Sequence, residues 1–306
     1  MIKLISIFLF VFVNLAHAWP TKDITLIVPF APGGPSDIVA RAYQQELEQT
    51  FKVNVLVKYM PGPAHSIAIN HILNNENDGH TFLQVNDDFI SGQYLAGTRL
   101  YEQFVPVHII GKHPFVMFGG PGTSQEKFLA DVKAGNVINV GTIGVNSLYS
   151  LWVGNIQNKP SLKLNLVPYK GGADIIRDVI AGHVTYGVGT LSTANADEFI
   201  KDGKLKPILH VGGDARFKNV LSINELGMTA FTANTWIGTF ARKNTPPQAI
   251  EQMSLTLKRI APAVIKNLRQ FEIVNLTSKD AEKFVASEIQ MLDQLTKNAN
   301  IQKTVQ

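Results

Sequence analysis

Past residue 18, short apolar and β-branched runs alternate with longer segments of helical period. Ile24 to Val28 reads as a strand, Asp37 to Thr50 as a helix, Val53 to Val57 as a strand, the stretch up to Leu73 as a helix, and Thr81 to Val85 as a strand. That order is βαβαβ, which predicts a parallel sheet. The alternation restarts with Val137 to Val140 (strand), Ser147 to Gln157 (helix), Leu164 to Val167 (strand) and Asp174 to Ala181 (helix). It continues with Val184 to Val188 (strand), Thr193 to Ile200 (helix) and Lys206 to Val211 (strand). Between the units lies an apolar stretch, Val107 to Phe118, and after the second comes strand-like Thr235 to Ala241. A chain that crosses to a second lobe and returns needs two such connections. The pattern predicts an α/β protein of two lobes, each a mainly parallel sheet flanked by helices, joined by two crossover strands. The expected division is a leader at 1–18, a first lobe of 19–118 with 236–306, and a second lobe of 119–235. Pro246-Pro247 open one C-terminal helix, and Thr277 with Asp280 resembles the capping start of another.

The leader differs in kind from the rest. Lys3 gives it a positive start, Leu4 to Val13 an unbroken apolar run, and Ala16-His17-Ala18 small residues at cleavage spacing. The run is far shorter than the roughly 20 residues of a membrane-spanning helix. A cleaved secretory signal, maturation before Trp19 and a periplasmic location are expected. The chain has no cysteine, which excludes disulfides, thiolate metal sites, a cysteine nucleophile and a lipid anchor on cysteine.

At 306 residues, 45% hydrophobic and 17% charged, the composition suits two folded cores. The net charge of +4 is small and no run of five or six like charges occurs, so nothing supports nucleic-acid binding.

Candidate chemistry lies in the loops after the first strand of each unit, because open α/β sheets bind ligands outside the carboxyl ends of their strands. The first loop, Pro29 to Asp37, carries Phe30, Gly33, Gly34 and Ser36; the second, Gly141 to Ser147, carries Thr142, Gly144, Asn146 and Ser147. Both run from a strand through glycines into a helix start, where unpaired N–H groups favour an anion. Either could instead be an ordinary capped turn, with Ser36 or Asp37 as the cap of the first. Neither loop is a Walker loop or a dinucleotide fingerprint. A third candidate is Pro168 to Asp174.

Along nearly the whole chain past the leader, a series of short fragments follows the order of a known family. The resemblance begins with Trp19-Pro20-Thr21-Lys22 and Ile27-Val28-Pro29-Phe30, leading into Gly33-Gly34, Asp37 and Ala40-Arg41. Pro61-Gly62 and Asp78-Gly79-His80-Thr81 follow, and it is strongest at Pro168-Tyr169-Lys170-Gly171 through Ala181-Gly182-His183-Val184. Asn224-Glu225-Leu226-Gly227, Trp236-Ile237-Gly238, Asn244-Thr245-Pro246 and Glu288-Ile289 complete it in order. Each fragment is weak alone, but the joint order is specific: the sequence resembles the periplasmic solute-binding proteins of tripartite tricarboxylate transporters, the Bug proteins. The resemblance implies a Venus-flytrap fold whose two glycine-rich loops hold a ligand carboxylate through backbone and hydroxyl groups. It also implies delivery of a small organic acid or amino-acid-like ligand to membrane permease subunits, without a cofactor and as a monomer.

The chain departs from the family at the expected distal end of the ligand. Gly189-Thr190 stands where an aspartate and a small polar residue are frequent, Asn86-Asp87-Asp88 where small hydroxyl residues are usual, and Ser150 where a histidine is common. Asp87 or Asp88 could cap the following helix, or could meet a cationic group on the ligand.

Two other classes were weighed. An enzyme acting on a small organic acid lacks its usual motifs, and the eight histidines have no metal-ligand spacing. His65 and His71 in particular read as surface or packing residues. A ligand-sensing adaptor for a membrane sensor fits the same fold, and sequence does not separate it from a transport protein.

Overall fold

The computed structural model describes residues 19–143, 148, 162–169, 171–191, 193–211, 217–226, 234–266 and 271–298. The expected helix at Ser147 to Gln157, Ser150, and the loop residues Gly144, Asn146 and Ser147 lie outside them.

Strands β1 (Ile24–Val28), β2 (Val55–Tyr59) and β3 (Thr81–Asn86) form a parallel group in the order β3-β1-β2. Helix α1 (Pro35–Phe51) and helix α2 (Ser66–Asn74) make the crossovers. A parallel strand must be re-entered from the same end, which is why apolar strand and amphipathic helix alternate so regularly here. Helix α3 (Asp88–Leu95) follows β3 directly. The long strand β4 (Phe104–Pro114) then joins this sheet antiparallel to β11 (Asn234–Arg242), which itself pairs with β3. A last strand, β12 (Glu272–Thr277), adds to the free edge of β4. The first sheet therefore runs β12-β4-β11-β3-β1-β2.

After β4 a single buried residue, Phe115, separates the two sheets, and β5 (Val116–Gly119) already pairs in the second. Strand β5 falls, except for Gly119, in the span expected for the first lobe; sheet membership changes at Phe115. Helix α4 (Gln125–Ala134), β6 (Val137–Ile143), β7 (Lys163–Tyr169), helix α5 (Gly172–Ala181) and β8 (Tyr186–Gly189) follow. Helix α6 (Ala196–Lys201), β9 (Lys206–His210) and the short β10 (Leu221–Ser222) complete the second sheet, ordered β10-β9-β5-β8-β6-β7. The chain returns in β11 and ends in helix α7 (Pro247–Lys266), β12 and helix α8 (Ser278–Asn298).

The two-lobed α/β architecture is as the alternation predicts, and each sheet is mixed. Parallel pairs β1-β2, β1-β3, β6-β7 and β6-β8 form one end of each sheet. The antiparallel pairs are made by the crossing strands β4, β5 and β11 and by β12.

Three apolar clusters hold the molecule together. One packs α1 and α7 on the outer face of the first sheet through Val39, Tyr43, Leu47, Met253 and Leu257. A second seats α5 on the second sheet through Ile175, Ile176 and Val179. The third is shared: it runs from Leu83 and Val85 through Phe115 to Tyr186 and Val188, and it includes Leu148 and Leu292. Trp19 belongs to the first lobe: its ring meets Phe51 edge-on at 5.2 Å, and its indole N–H donates to the Gly79 carbonyl at 3.1 Å.

Candidate ligand-binding site

Because β1, β2 and β3 are parallel, the loops that follow them emerge at one edge, and the same holds for β6, β7 and β8. The first edge carries Phe30 to Ser36, the turn at Gly62 to His65, and Asn86 to Asp88; the second carries Thr142, Gly171 and Gly189-Thr190. Leu148, just past the second glycine-rich loop, lines a cavity together with Asp87, Ile90 and Ser91 of the first lobe. The two carboxyl edges therefore meet.

In the first loop Gly33 adopts φ +91, a conformation that L side chains rarely take. Its N–H donates to Asp37 Oδ2 at 2.6 Å. Asp37 Oδ1 is held by the Arg41 Nε at 2.9 Å and the Tyr59 hydroxyl at 2.6 Å. Asp37 thus braces the loop from behind. Gly34 is the residue before α1, with no side-chain cap, and Pro35 opens the helix. Neither Ser36 nor Asp37 is the cap weighed from the sequence. Ser36 is buried, and its hydroxyl has no hydrogen-bond partner among the described residues. That hydroxyl and the N–H groups of Ser36 and Asp37, which precede the first bond of the helix from Ile38 N–H to the Gly34 carbonyl, are donors at a helix start, the arrangement an anion requires.

Phe30 is half-buried and packs edge-on against His65, ring centres 4.9 Å apart. His65 is buried, in contrast to exposed His71. It follows Ala64 at φ 44 and itself has φ 63, two non-glycine residues in the left-handed region side by side. Such strain clusters where a structure holds side chains for a purpose. His65 Nε2 lies 3.3 Å from Asp88 Oδ2. Burial works against the charged imidazole, but the contacts with Asp88, aided by the Pro29 carbonyl, raise its pKa above the ordinary value.

The Asn86-Asp87-Asp88 triplet divides its roles. Asn86 Oδ1 accepts from the Asp88 N–H at 3.2 Å and so supplies the turn at the start of α3. Asp87 occupies the cap position but makes no capping bond. Its Oδ1 accepts from the Thr235 hydroxyl, its N–H donates to the Trp236 carbonyl at 3.2 Å, and Oδ2 is buried with no partner among the described residues. Burial, with the charges of Asp88 and Glu288 adding to it, raises the Asp87 carboxyl well above the usual carboxylate range. Glu288 on α8 lines the same cavity, and its Oε2 accepts from the Trp236 indole N–H at 3.2 Å. Burial pushes its carboxyl up to about 7.

On the second edge Thr142 is buried at the end of β6. Gly189 and Thr190 are buried too. The Thr190 N–H donates to the Thr193 hydroxyl at 2.9 Å, and a Cβ on Gly189 would lie 3.0 Å from that same hydroxyl oxygen. In the third candidate loop, a Cβ on Gly172 would lie 2.2 Å from Thr193 Cγ2, so this glycine is needed for packing. The structure thus brings Phe30, Asn86 and Asp87 to one edge, with the Gly33-Gly34-Ser36 turn beside them, and Thr142, Gly189 and Thr190 to the other. His65, Thr235, Trp236 and Glu288 were not candidates from the sequence as ligand-facing groups. Among the described residues no three metal-binding side chains converge, and no helix is long and apolar enough to cross a membrane.

The family described as TctC, the tripartite tricarboxylate transporter family receptor, matches residues 39–301. The chain belongs to this family. The TctC, or Bug, proteins are periplasmic solute-binding proteins, and a non-catalytic role comes with membership. BugT of Bordetella pertussis is 28% identical over 250 residues, 77% of this chain and 75% of that protein. A UPF0065 protein in the tcbD-tcbE intergenic region of Pseudomonas sp. strain P51 is 24% identical over 267 residues, 84% of this chain and 79% of its own length. Among solved structures, R. palustris Rpa4515 with adipate superimposes with a TM-score of 0.79 at 21% identity, covering 92% of this chain and 98% of that one. The periplasmic binding protein BugD gives 0.77 at 22%, covering 94% and 100%. These likenesses carry the two-lobed fold of a TctC protein and leave the ligand open.

Two buried groups of this TctC protein give opposing dependences on pH. Glu288 would ionise near 4.5 when unfolded but near 7 when folded, so its contribution to stability is lost as pH rises from 4.5 through 7. His108 is buried between the Tyr43 hydroxyl and Asn275 Oδ1, and burial lowers it from 6.5 to about 4. Its contribution is lost as pH falls from 6.5 toward 4. Between pH 4.5 and 6.5 the two slopes oppose each other. Glu288→Gln should leave the His108 slope uncovered, so the variant's thermal midpoint falls several degrees relative to wild type on acidification from pH 6.5 to 4.5. Parallel midpoint profiles for the two proteins would contradict the assignment.

Proposed function

We propose that this TctC protein captures a small carboxylate-bearing organic molecule between its lobes and hands it to the membrane permease of a tripartite transporter. The observation that carries this reading is the donor set at the start of α1. The buried Ser36 hydroxyl and the N–H groups of Ser36 and Asp37 sit at the same sheet edge as Asp87, which meets Leu148 of the second lobe. Neutral donors at a helix start hold a carboxylate without a buried arginine. Thr142 and Gly189-Thr190 are the second lobe's contribution to this site, and the family resemblance assigns Gly144, Asn146 and Ser147 of the second loop to the same carboxylate. Two proteins of similar fold hold small carboxylates that agree with this class, Rpa4515 with adipate and MatC of Rhodopseudomonas palustris with malate.

Lobe membership follows the sheets, changing at Phe115 and again before β11. Removal of residues 1–18 before Trp19 leaves that lobe whole, because Trp19 is itself packed against Phe51 and Phe82.

The test is a thermal-shift screen of the protein starting at Trp19 against mono-, di- and tricarboxylates and amino acids of three to six carbons. A ligand at a hundred times its Kd stabilises by about 2.7 kcal/mol, which for a chain of this size is a rise of roughly 5 °C or more. At least one carboxylate should give that rise. A flat response across the whole panel would contradict the reading.

A further inference from the structure

We propose that the cavity where α3, β11 and α8 meet is a subsite for a primary ammonium group of the bound solute, held between the carboxyls of Asp87 and Glu288. This rests on the solute-binding reading and names the chemistry at the end of the ligand opposite its carboxylate.

The cavity lies at the junction of the lobes: Asp87, Ile90 and Ser91 wall it from α3, Trp236 from β11, Glu288 from α8 and Leu148 from the second lobe. Asp87 is 4% exposed, and its Oδ2 has no hydrogen-bond partner among the described residues. A buried oxygen of this kind is costly unless a donor arrives, and among the described residues nothing in the walls supplies one. The Thr235 hydroxyl is already given to Asp87 Oδ1, the Ser91 hydroxyl to the Asp87 carbonyl at 3.1 Å, and the Trp236 indole N–H to Glu288 Oε2. With the two acids ionised the site is rich in acceptors, and the donors among its described neighbours are spent. That polarity asks for a ligand group that only donates, and an ammonium carries three donors and no acceptor.

Size narrows the class. The cavity has about 10 Å³ of free space, room for about one water. A primary ammonium fits that space; a guanidinium or a trimethylated ammonium does not. The remaining walls, Ile90, Leu148 and Leu292 among them, are apolar, so an ion pair formed here is poorly screened.

Charge balance predicts a second observable. Burial favours the protonated form of both acids in the empty protein. When an ammonium enters, a carboxyl O–H bond breaks, the carboxylate pairs with the cation, and the proton leaves to solvent. The other charged groups facing the pair are Asp88, itself paired with His65, and Lys112 of β4 toward Glu288. The Tyr94–Asp293 hydrogen bond ties α3 to α8 beside the cavity.

The experiment is calorimetric titration of the protein starting at Trp19 with three matched series. These are ω-amino acids from β-alanine to 5-aminovalerate, dicarboxylates of equal length, and the N-trimethylated ω-amino acids. One ω-amino acid should bind at least tenfold more tightly than its dicarboxylate and its trimethylated counterpart. At pH 6, titrations in two buffers of different ionisation enthalpy should report net proton release. Asp87→Asn should weaken the amine at least thirtyfold and strengthen the matched dicarboxylate, which also shows that the variant is folded. Glu288→Gln should shift preference in the same direction and reduce the proton release. Binding of a dicarboxylate in preference to every amine, or an unchanged amine affinity in Asp87→Asn, would overturn the subsite while leaving the solute-binding reading in place. No binding by any of the three series would remove that reading and the subsite with it.

Discussion

Valine at position 33 should lower the affinity for the carboxylate ligand at least a hundredfold while moving the thermal midpoint by only a few degrees. A Cβ placed on Gly33 meets no heavy atom within 4 Å, so the substitution makes no clash. The difficulty is the backbone, which at φ +91 is strained for any L residue and most of all for a β-branched one. Strain of this kind amounts to about 1–3 kcal/mol, and the loop can relieve it by turning to negative φ because it is exposed. Turning it withdraws the Gly33 N–H from Asp37 Oδ2 and displaces the start of α1, where the anion donors lie. A hundredfold loss corresponds to about 2.7 kcal/mol of binding, which the removal of two charge-assisted hydrogen bonds accounts for. Calorimetry on the hit from the thermal-shift screen, with a melt of the empty variant, checks both halves. Unchanged affinity would take this loop out of the site.

Trp236→Ala should cost the protein about 3–5 kcal/mol, a fall in thermal midpoint of roughly 10 °C. Trp236 is 1% exposed, lies flat against Phe240 with ring centres 5.9 Å apart, and meets Phe284 of α8 edge-on. Removing the indole opens a cavity at the seam between β11 and α8 and strips Glu288 of its hydrogen-bond donor. Trp236→Phe restores most of the volume but not the N–H, so it should recover most of the stability and leave the Glu288 carboxyl displaced further upward. Chemical denaturation of the two variants separates packing from the lost hydrogen bond. Equal stability of Trp236→Ala and wild type would show that α8 does not rest on β11 as described.

Sequence pattern was a good guide where local and tertiary demands agree. Strand β1 matches the apolar run Ile24 to Val28, and α1 extends the expected helix to Pro35, whose fixed φ suits a first turn. It was silent where pairing alone decides. Strand β12 was not anticipated, since its residues are half-buried or exposed and only the free edge of β4 makes them a strand. The apolar run Val107 to Phe118 carries no mark of where it changes sheet, because both halves are buried alike.

The candidate site divides in the same way. Loops at carboxyl ends of strands follow from topology, so Phe30, Gly33 and Ser36 could be named in advance. Partnerships could not. Thr235 and Glu288 reach Asp87's surroundings from far along the chain, and His65 meets Asp88 across two strands. Even within Asn86-Asp87-Asp88, three residues fit to start a helix, only the fold makes Asn86 the one that holds the turn and frees Asp87.

The central claim is that both glycine-rich loops close on one carboxylate between the lobes, and hydrogen–deuterium exchange tests it most directly. The protein starting at Trp19 is exchanged with and without a carboxylate that raises its thermal midpoint. Amides in 30–38, 86–91 and 141–148 should gain protection together, because one ligand bridges all three. Protection confined to a single lobe, or located away from the carboxyl edges of the sheets, would contradict the account.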